Sequence, residues 1–153
     1  MGDIFNDDYQ DFLKSLNNNH VEYVLVGGYS VILHGYSRTT GDMDILVRNS
    51  KENYLKIKQA FYEFGMSVFD MTEQKFLDNN TSDVFTFGRQ PCAIDIMTAI
   101  KGSSFDEIFN HAVSIDVEGI PVKTIHINQL IEVKKASGRY KDFDDIEKLT
   151  GKK

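Results

Sequence analysis

The stretch VLVGGYSVILHGYSRTTGDMDILV, residues 24–47, constrains this chain more than any other. It is entered from a β-branched, largely apolar run, residues 21–26, that ends on Gly27-Gly28. A run of that kind bounded by glycine is expected to be a buried strand. Residues 29–35 fit a short helix entered directly from the glycine pair, and residues 37–41 a polar loop. Residues 43–47 form a second strand with Ile45, Leu46 and Val47 as its apolar residues. A strand, two glycines, a helix and a second strand opened by Asp42-Met43-Asp44 commit the chain to a sheet with one acid-bearing edge.

Residues i and i+2 of a strand point to the same face, so the carboxylates of Asp42 and Asp44 project together while Met43 turns into the core. Their Cα atoms would lie roughly 7 Å apart, close enough for both side chains to converge on one divalent ion or to bridge two. Two acids on one face repel unless a proton or a cation neutralises them. Hard oxygen donors without cysteine or clustered histidine favour Mg²⁺ or Mn²⁺ over zinc. Gly27 and Gly28 would expose backbone N–H groups where the strand runs into a helix, and glycine allows a phosphate to approach closely. The chain lacks both GxxxxGK[ST] and GxGxxG, which excludes a P-loop and a Rossmann dinucleotide site. A phosphate cradle beside paired carboxylates points to a nucleoside triphosphate bound through metal ions. Asp95, a lone acid in the apolar run AIDIM, is the candidate third carboxylate, since a buried acid needs a partner or a metal.

Elsewhere the pattern interleaves helices and strands. Helices are expected at residues 7–16, 51–64, 105–110, 128–136 and 140–149, and Gly65 should end the second of them. Strands are expected at residues 84–88 and 92–98 around a Gly88–Pro91 turn, and at 113–117 and 122–127 around Glu118-Gly119. This is an α/β or α+β class with one short mixed sheet and a C-terminal helical pair. Residues 1–153 are expected to form one domain, because this length buries a core without staples. Cys92 is the single cysteine, and the four histidines are scattered, so neither a disulfide framework nor a zinc site is expected. The net charge of −6 disfavours a general nucleic-acid coat protein but not an enzyme that reaches phosphates through metal ions. No apolar run is long enough to span a bilayer, and the first residues are acidic where a signal peptide is basic, so a cytoplasmic location is expected.

These motifs together resemble the DNA polymerase β-like nucleotidyltransferase superfamily. The string Gly27-Gly28 with Arg38-x-Thr40-x-Asp42-x-Asp44 is most similar to its bacterial branch related to the abortive-infection AbiE-type proteins of toxin–antitoxin pairs. That branch tends to end in a helical Lys…Gly-Arg-x-Lys-Asp…Asp segment, matched here by Lys134, Gly138-Arg139, Lys141-Asp142 and Asp145. The resemblance implies transfer of a nucleoside monophosphate from an NTP such as ATP to a hydroxyl, with release of pyrophosphate. Carried over by position, it implies that Asp42, Asp44 and Asp95 hold metal, two Mg²⁺ or Mn²⁺ ions being expected, and that Asp95 accepts the proton of the attacking hydroxyl. It places Gly27, Gly28, Ser30, Arg38 and Thr40 on the nucleotide and Lys134 on phosphate charge, with Arg139, Lys141, Asp142 and Asp145 in support. Many superfamily members carry serine where this chain has Gly28, which removes one hydroxyl contact.

Simpler roles stand beside these. Asp95 has Arg38 or Arg89 as an alternative partner. Arg139 with Asp142, and Lys141 with Asp145, have the spacing of solvated helix pairs worth about 0.2–0.5 kcal/mol each. Tyr29, Tyr36 and Tyr140 are packing residues or base-stacking platforms. The acceptor would be RNA, a protein side chain or a small molecule such as an antibiotic. The alternative function is a binding module of the same fold without turnover, such as the antitoxin-like member of a two-gene pair with a partner protein encoded nearby.

Overall fold

The computed structural model describes residues 6–37, 40–78, 84–88 and 93–151. Its elements are α1 (Asp7–Asn18), β1 (Tyr23–Val26), α2 (Gly27–Leu33), β2 (Met43–Val47), α3 (Lys51–Phe64), α4 (Glu73–Leu77), β3 (Val84–Phe87), β4 (Ile94–Met97), α5 (Phe105–His111), β5 (Val113–Val117), β6 (Ile120–Thr124), α6 (Ile127–Ser137) and α7 (Tyr140–Thr150). The strands form one mixed sheet in the order β3-β4-β2-β1-β6-β5. β2 runs antiparallel to β1 and parallel to β4, while β6 runs parallel to β1. The expected α/β class with a short mixed sheet and a C-terminal helical pair is what folds.

Strand alternation divides the core into two layers. Tyr23 and Leu25 of β1 join Met43, Ile45 and Val47 of β2 and Ile94 and Ile96 of β4 in one layer. Helices α1 and α3 close that layer with Phe12, Leu13, Leu16, Ile57 and Phe61, all buried. Val24, Val26 and Leu46 face the other way and meet Ile108 of α5, Leu130 and Val133 of α6 and Leu149 of α7. Every residue of β1 is buried, which is why its sequence is continuous rather than alternating. At one end of the second layer the apolar residues give way to acids, and the site lies there.

Local chemistry sets the element ends. Asn6, Ser50, Thr72 and Ser104 each accept a backbone N–H from the first turn of the helix they precede. Gly65 and Gly138 end α3 and α6 in the left-handed region, at φ +93° and +68°. Most ends fall within a few residues of the sequence expectation, and three differences have a clear physical cause. Helix α2 begins at Gly27, so the glycine pair forms its first turn instead of preceding it. Strand β6 begins at Ile120, because Glu118 and Gly119 both adopt positive φ and turn the chain in two residues. Helix α4 was not expected at all, since five residues carry too little periodicity to read, and it is held by the Thr72 cap and the buried Phe76.

Candidate active site

The site is built where β1 ends and β2 and β4 begin. Val26 pairs with Asp44 across the antiparallel ladder, and Asp44 pairs with Asp95 across the parallel one. Asp44 and Asp95 therefore stand side by side on the same face of adjacent strands, and their carboxyl groups share a hydrogen bond. Burial, that hydrogen bond and the charges of Asp95 and Asp42 push Asp44 up to about 7, against the weaker opposing charge of Lys141. Asp95 also accepts a 2.7 Å hydrogen bond from the Thr86 hydroxyl, whose residue is its register partner on β3. Among the described residues, Thr86 is a neighbour of the site that the sequence reading missed, and strand register is the signal that finds it.

Gly27 explains the closeness of this packing. Its φ is +72°, and a Cβ placed on it would lie 2.2 Å from Asp44 Oδ2. Glycine is thus required twice, for backbone conformation and for the room taken by the carboxylate. Ser30 is fully buried, and its hydroxyl donates to the Gly27 carbonyl at 2.5 Å. Gly27, Gly28, Thr40, Gly41, Asp42, Asp44 and Asp95 line one side of a cleft of about 460 Å³, and Lys134, Arg139 and Lys141 line the other. An acidic floor therefore faces a cationic roof carried by α6 and α7.

The roof is held by a buried ionic cluster. Lys134, 4% exposed, reaches Asp145 at 2.9 Å and Asp142 at 3.4 Å. Asp142, fully buried, also accepts from Arg139 Nε at 2.8 Å, Nη2 at 3.2 Å and the backbone N–H at 3.2 Å. Burial alone would raise the Asp142 carboxyl, but Arg139, Ser137 and Lys134 together hold it well below the usual carboxylate range. The Arg139 guanidinium is held above its ordinary value, first by its bond to Asp142 and in part by the more distant charge of Asp44. These groups are not solvated helix pairs: Asp142 and Asp145 are buried, and Asp145 takes Lys134 as its ion-pair partner.

The structure thus brings Gly27, Gly28, Thr40, Asp42, Asp44, Asp95, Lys134, Arg139 and Lys141 to one cleft. It places Ser30 beneath the cleft instead of on it, and Asp142 and Asp145 behind its roof. Arg38 and Arg89 lie outside the described residues, as does Cys92. Tyr29 is buried edge-on against Tyr9 with ring centroids 5.5 Å apart, so it packs, whereas Tyr140 is 96% exposed. His34 is bonded to the Ile125 carbonyl at 2.7 Å. Among the described residues, no three histidine, cysteine or acidic side chains stand ready to hold a metal ion, and no helix is long and apolar enough to cross a membrane.

The fold is that of known nucleotidyltransferases. A Thermotoga maritima protein assigned to the nucleotidyltransferases superposes with a TM-score of 0.64 at 16% identity, over 98% of this chain and 97% of that one. The lincosamide antibiotic adenylyltransferase LnuA, solved with lincomycin bound, gives 0.62 at 15% identity, over 97% and 98%. ANT(2″)-Ia in complex with adenylyl-2″-tobramycin gives 0.61 at 14% identity, over 94% and 86%. No curated protein sequence matches the chain. The chain belongs to the family described as nucleotidyl transferase of unknown function (DUF2204), whose profile spans residues 5–152.

Proposed function

We propose that this nucleotidyltransferase moves a nucleoside monophosphate from an NTP to an acceptor hydroxyl and requires a divalent cation. The observation that carries the reading is the register-paired Asp44 and Asp95 facing Lys134, Arg139 and Lys141 across one cleft. The donor set fits Mg²⁺ or Mn²⁺. Asp44 and Asp95 are hard oxygen ligands close enough that Asp95 helps to raise the Asp44 carboxyl, and a cation would relieve the same repulsion. Asp42 is near enough for its charge to act on Asp44, and it would join the set only by moving toward a bound cation, since the three carboxylates are not gathered for one as they stand. When bound, the metal supplies charge neutralisation and alignment of the attacking and leaving oxygens.

The chain's own residues do the rest. The acceptor oxygen forms a bond to the α-phosphorus, and the bond from that phosphorus to the α–β bridging oxygen breaks. Pyrophosphate leaves with that electron pair, and the hydroxyl proton passes to Asp95. Arg139 and Lys141 neutralise the phosphates from the roof, and Lys134, already shared by Asp142 and Asp145, adds its field from behind. Gly27 and Gly28 let the triphosphate lie against the floor. Ser30 acts as a positioning residue through the Gly27 carbonyl.

Small antibiotics are the acceptor class favoured here, because two structural neighbours are solved with such molecules, lincomycin and adenylyl-2″-tobramycin. The likeness to the abortive-infection branch and its two-gene systems rests on the Gly27–Asp44 and Lys134–Asp145 motifs. The test is transfer of label from each α-labelled NTP with Mg²⁺ or Mn²⁺ to lincosamides, aminoglycosides, total RNA or cell protein. Label that appears in one acceptor and disappears in Asp42→Ala/Asp44→Ala supports the reading. Metal-dependent NTP binding without transfer to any acceptor class would instead establish the binding module.

A further inference from the structure

A second hollow of about 260 Å³ opens off the cleft and shares Gly27, Asp44, Lys134 and Arg139 with it. Its walls are apolar: Val26 at the end of β1, Met97 and Ile100 at and beyond the end of β4, and Leu130 and Val133 on α6. Neither Asp42 nor Asp95 lines it. Resting on the reaction proposed above, we infer that this hollow is the nucleobase subsite and that it takes a purine.

Three observations converge on this. The acceptor must approach Asp95, which receives its proton, so a hollow that touches Asp44 but not Asp95 lies on the nucleotide side. The hollow also shares the roof cations Lys134 and Arg139 with the cleft, so a base seated in it would adjoin phosphates held there. Its volume is below the roughly 300 Å³ at which pockets for drug-sized molecules begin, so it holds a planar fragment and not a whole acceptor.

Polar groups at the rim define which edge of the base is read. The two oxygens of Asp142 already receive Arg139 Nε, Arg139 Nη2, the Arg139 backbone N–H and Lys134 Nζ. Four donors fill the lone pairs of a carboxylate, so Asp142 has none left for an amino group of the base. Lys101, exposed at the rim, brings a donor. A donor suits N7, an acceptor that both purines carry and no pyrimidine has. The larger bicyclic ring also buries more apolar area than a pyrimidine, an advantage of about tenfold in affinity.

The test is calorimetric titration, with Mg²⁺ present, of ATP, GTP, CTP, UTP and inorganic tripolyphosphate into the full chain. The purine nucleotides should bind about tenfold more tightly than the pyrimidine nucleotides and tripolyphosphate. Val133→Phe, which fills the hollow, should bring the purines down to the tripolyphosphate affinity and leave tripolyphosphate itself unchanged. Lys101→Ala, at an exposed position where truncation costs little stability, should weaken purines several-fold and spare tripolyphosphate. Equal binding of all five probes, or a purine preference that survives both variants, would overturn the base subsite while the phosphate cleft stands. If not even tripolyphosphate binds, the proposed reaction falls with it.

Discussion

Replacing Asp44 by asparagine should stabilise the metal-free protein at pH 8 while removing its activity. In the unfolded chain an aspartate loses its proton near pH 4. In the fold, burial and its two acidic neighbours hold the Asp44 proton until about pH 7. The folded state therefore binds more protons than the unfolded state between those values, so stability falls as pH rises from about 4 to 7 and then levels off. The displacement is about three units at about 1.4 kcal/mol each, which bounds the penalty at about 4 kcal/mol. Asp44 opens onto a wet cleft and shares its repulsion with Asp95 and Asp42, so about 2 kcal/mol is expected at pH 8. Asparagine keeps the shape, carries no charge and can donate its amide to Asp95. For a chain of this length that gain corresponds to a rise in Tm of about 4–8 °C. Thermal denaturation in EDTA at pH 5 and pH 8 measures it. Wild type should lose stability between the two conditions and Asp44→Asn should not. A variant that is less stable than wild type at pH 8, or that gains as much at pH 5 as at pH 8, would refute the claim that the acidic floor is an electrostatic strain relieved only by a proton or a cation.

The other expectations follow from the same geometry. Mg²⁺ or Mn²⁺ added at pH 8 at about one hundred times its dissociation constant should stabilise wild type by about 2.7 kcal/mol and Asp44→Asn by much less, as read by the same melts. Gly27→Ala should lower activity by at least about a hundredfold and stability by about 1–3 kcal/mol, measured by label transfer and urea unfolding, because its Cβ displaces the Asp44 carboxylate from a strained backbone position. Asp142→Asn should cost about 3 kcal/mol in urea, since it leaves Lys134 and Arg139 short of a buried partner. The same variant should flatten the acid limb of the stability curve. Asp142 is held below its unfolded value, so its contribution is present above pH 4 and is lost as pH falls beneath that. Tyr140→Ala, at a fully solvated position, should change stability by less than about 0.5 kcal/mol.

What the sequence reveals of this site depends on how local the determining interaction is. Asp42, Met43 and Asp44 can be read from strand alternation because the period-two rule acts within three residues, and Met43 is indeed buried while both acids line the cleft. Asp95 is legible as a misfit, an acid among apolar neighbours. That it stands opposite Asp44 depends on a parallel crossover of some fifty residues, which no local pattern encodes. Thr86 is invisible for the same reason, being defined only by its register with Asp95. The C-terminal charges illustrate the converse. Residues spaced three and four apart on a helix look like solvated pairs, yet α6 folds over α7 and buries Asp142 and Asp145 against Lys134. A pair that would be worth a few tenths of a kcal/mol in water becomes the brace that aims Arg139 into the cleft. Gly27 is legible as a glycine needed at a strand end, but the need arises from the side chain of Asp44 seventeen residues later. Sequence spacing therefore identifies the candidate groups for the chemistry, and tertiary register decides which of them face one another.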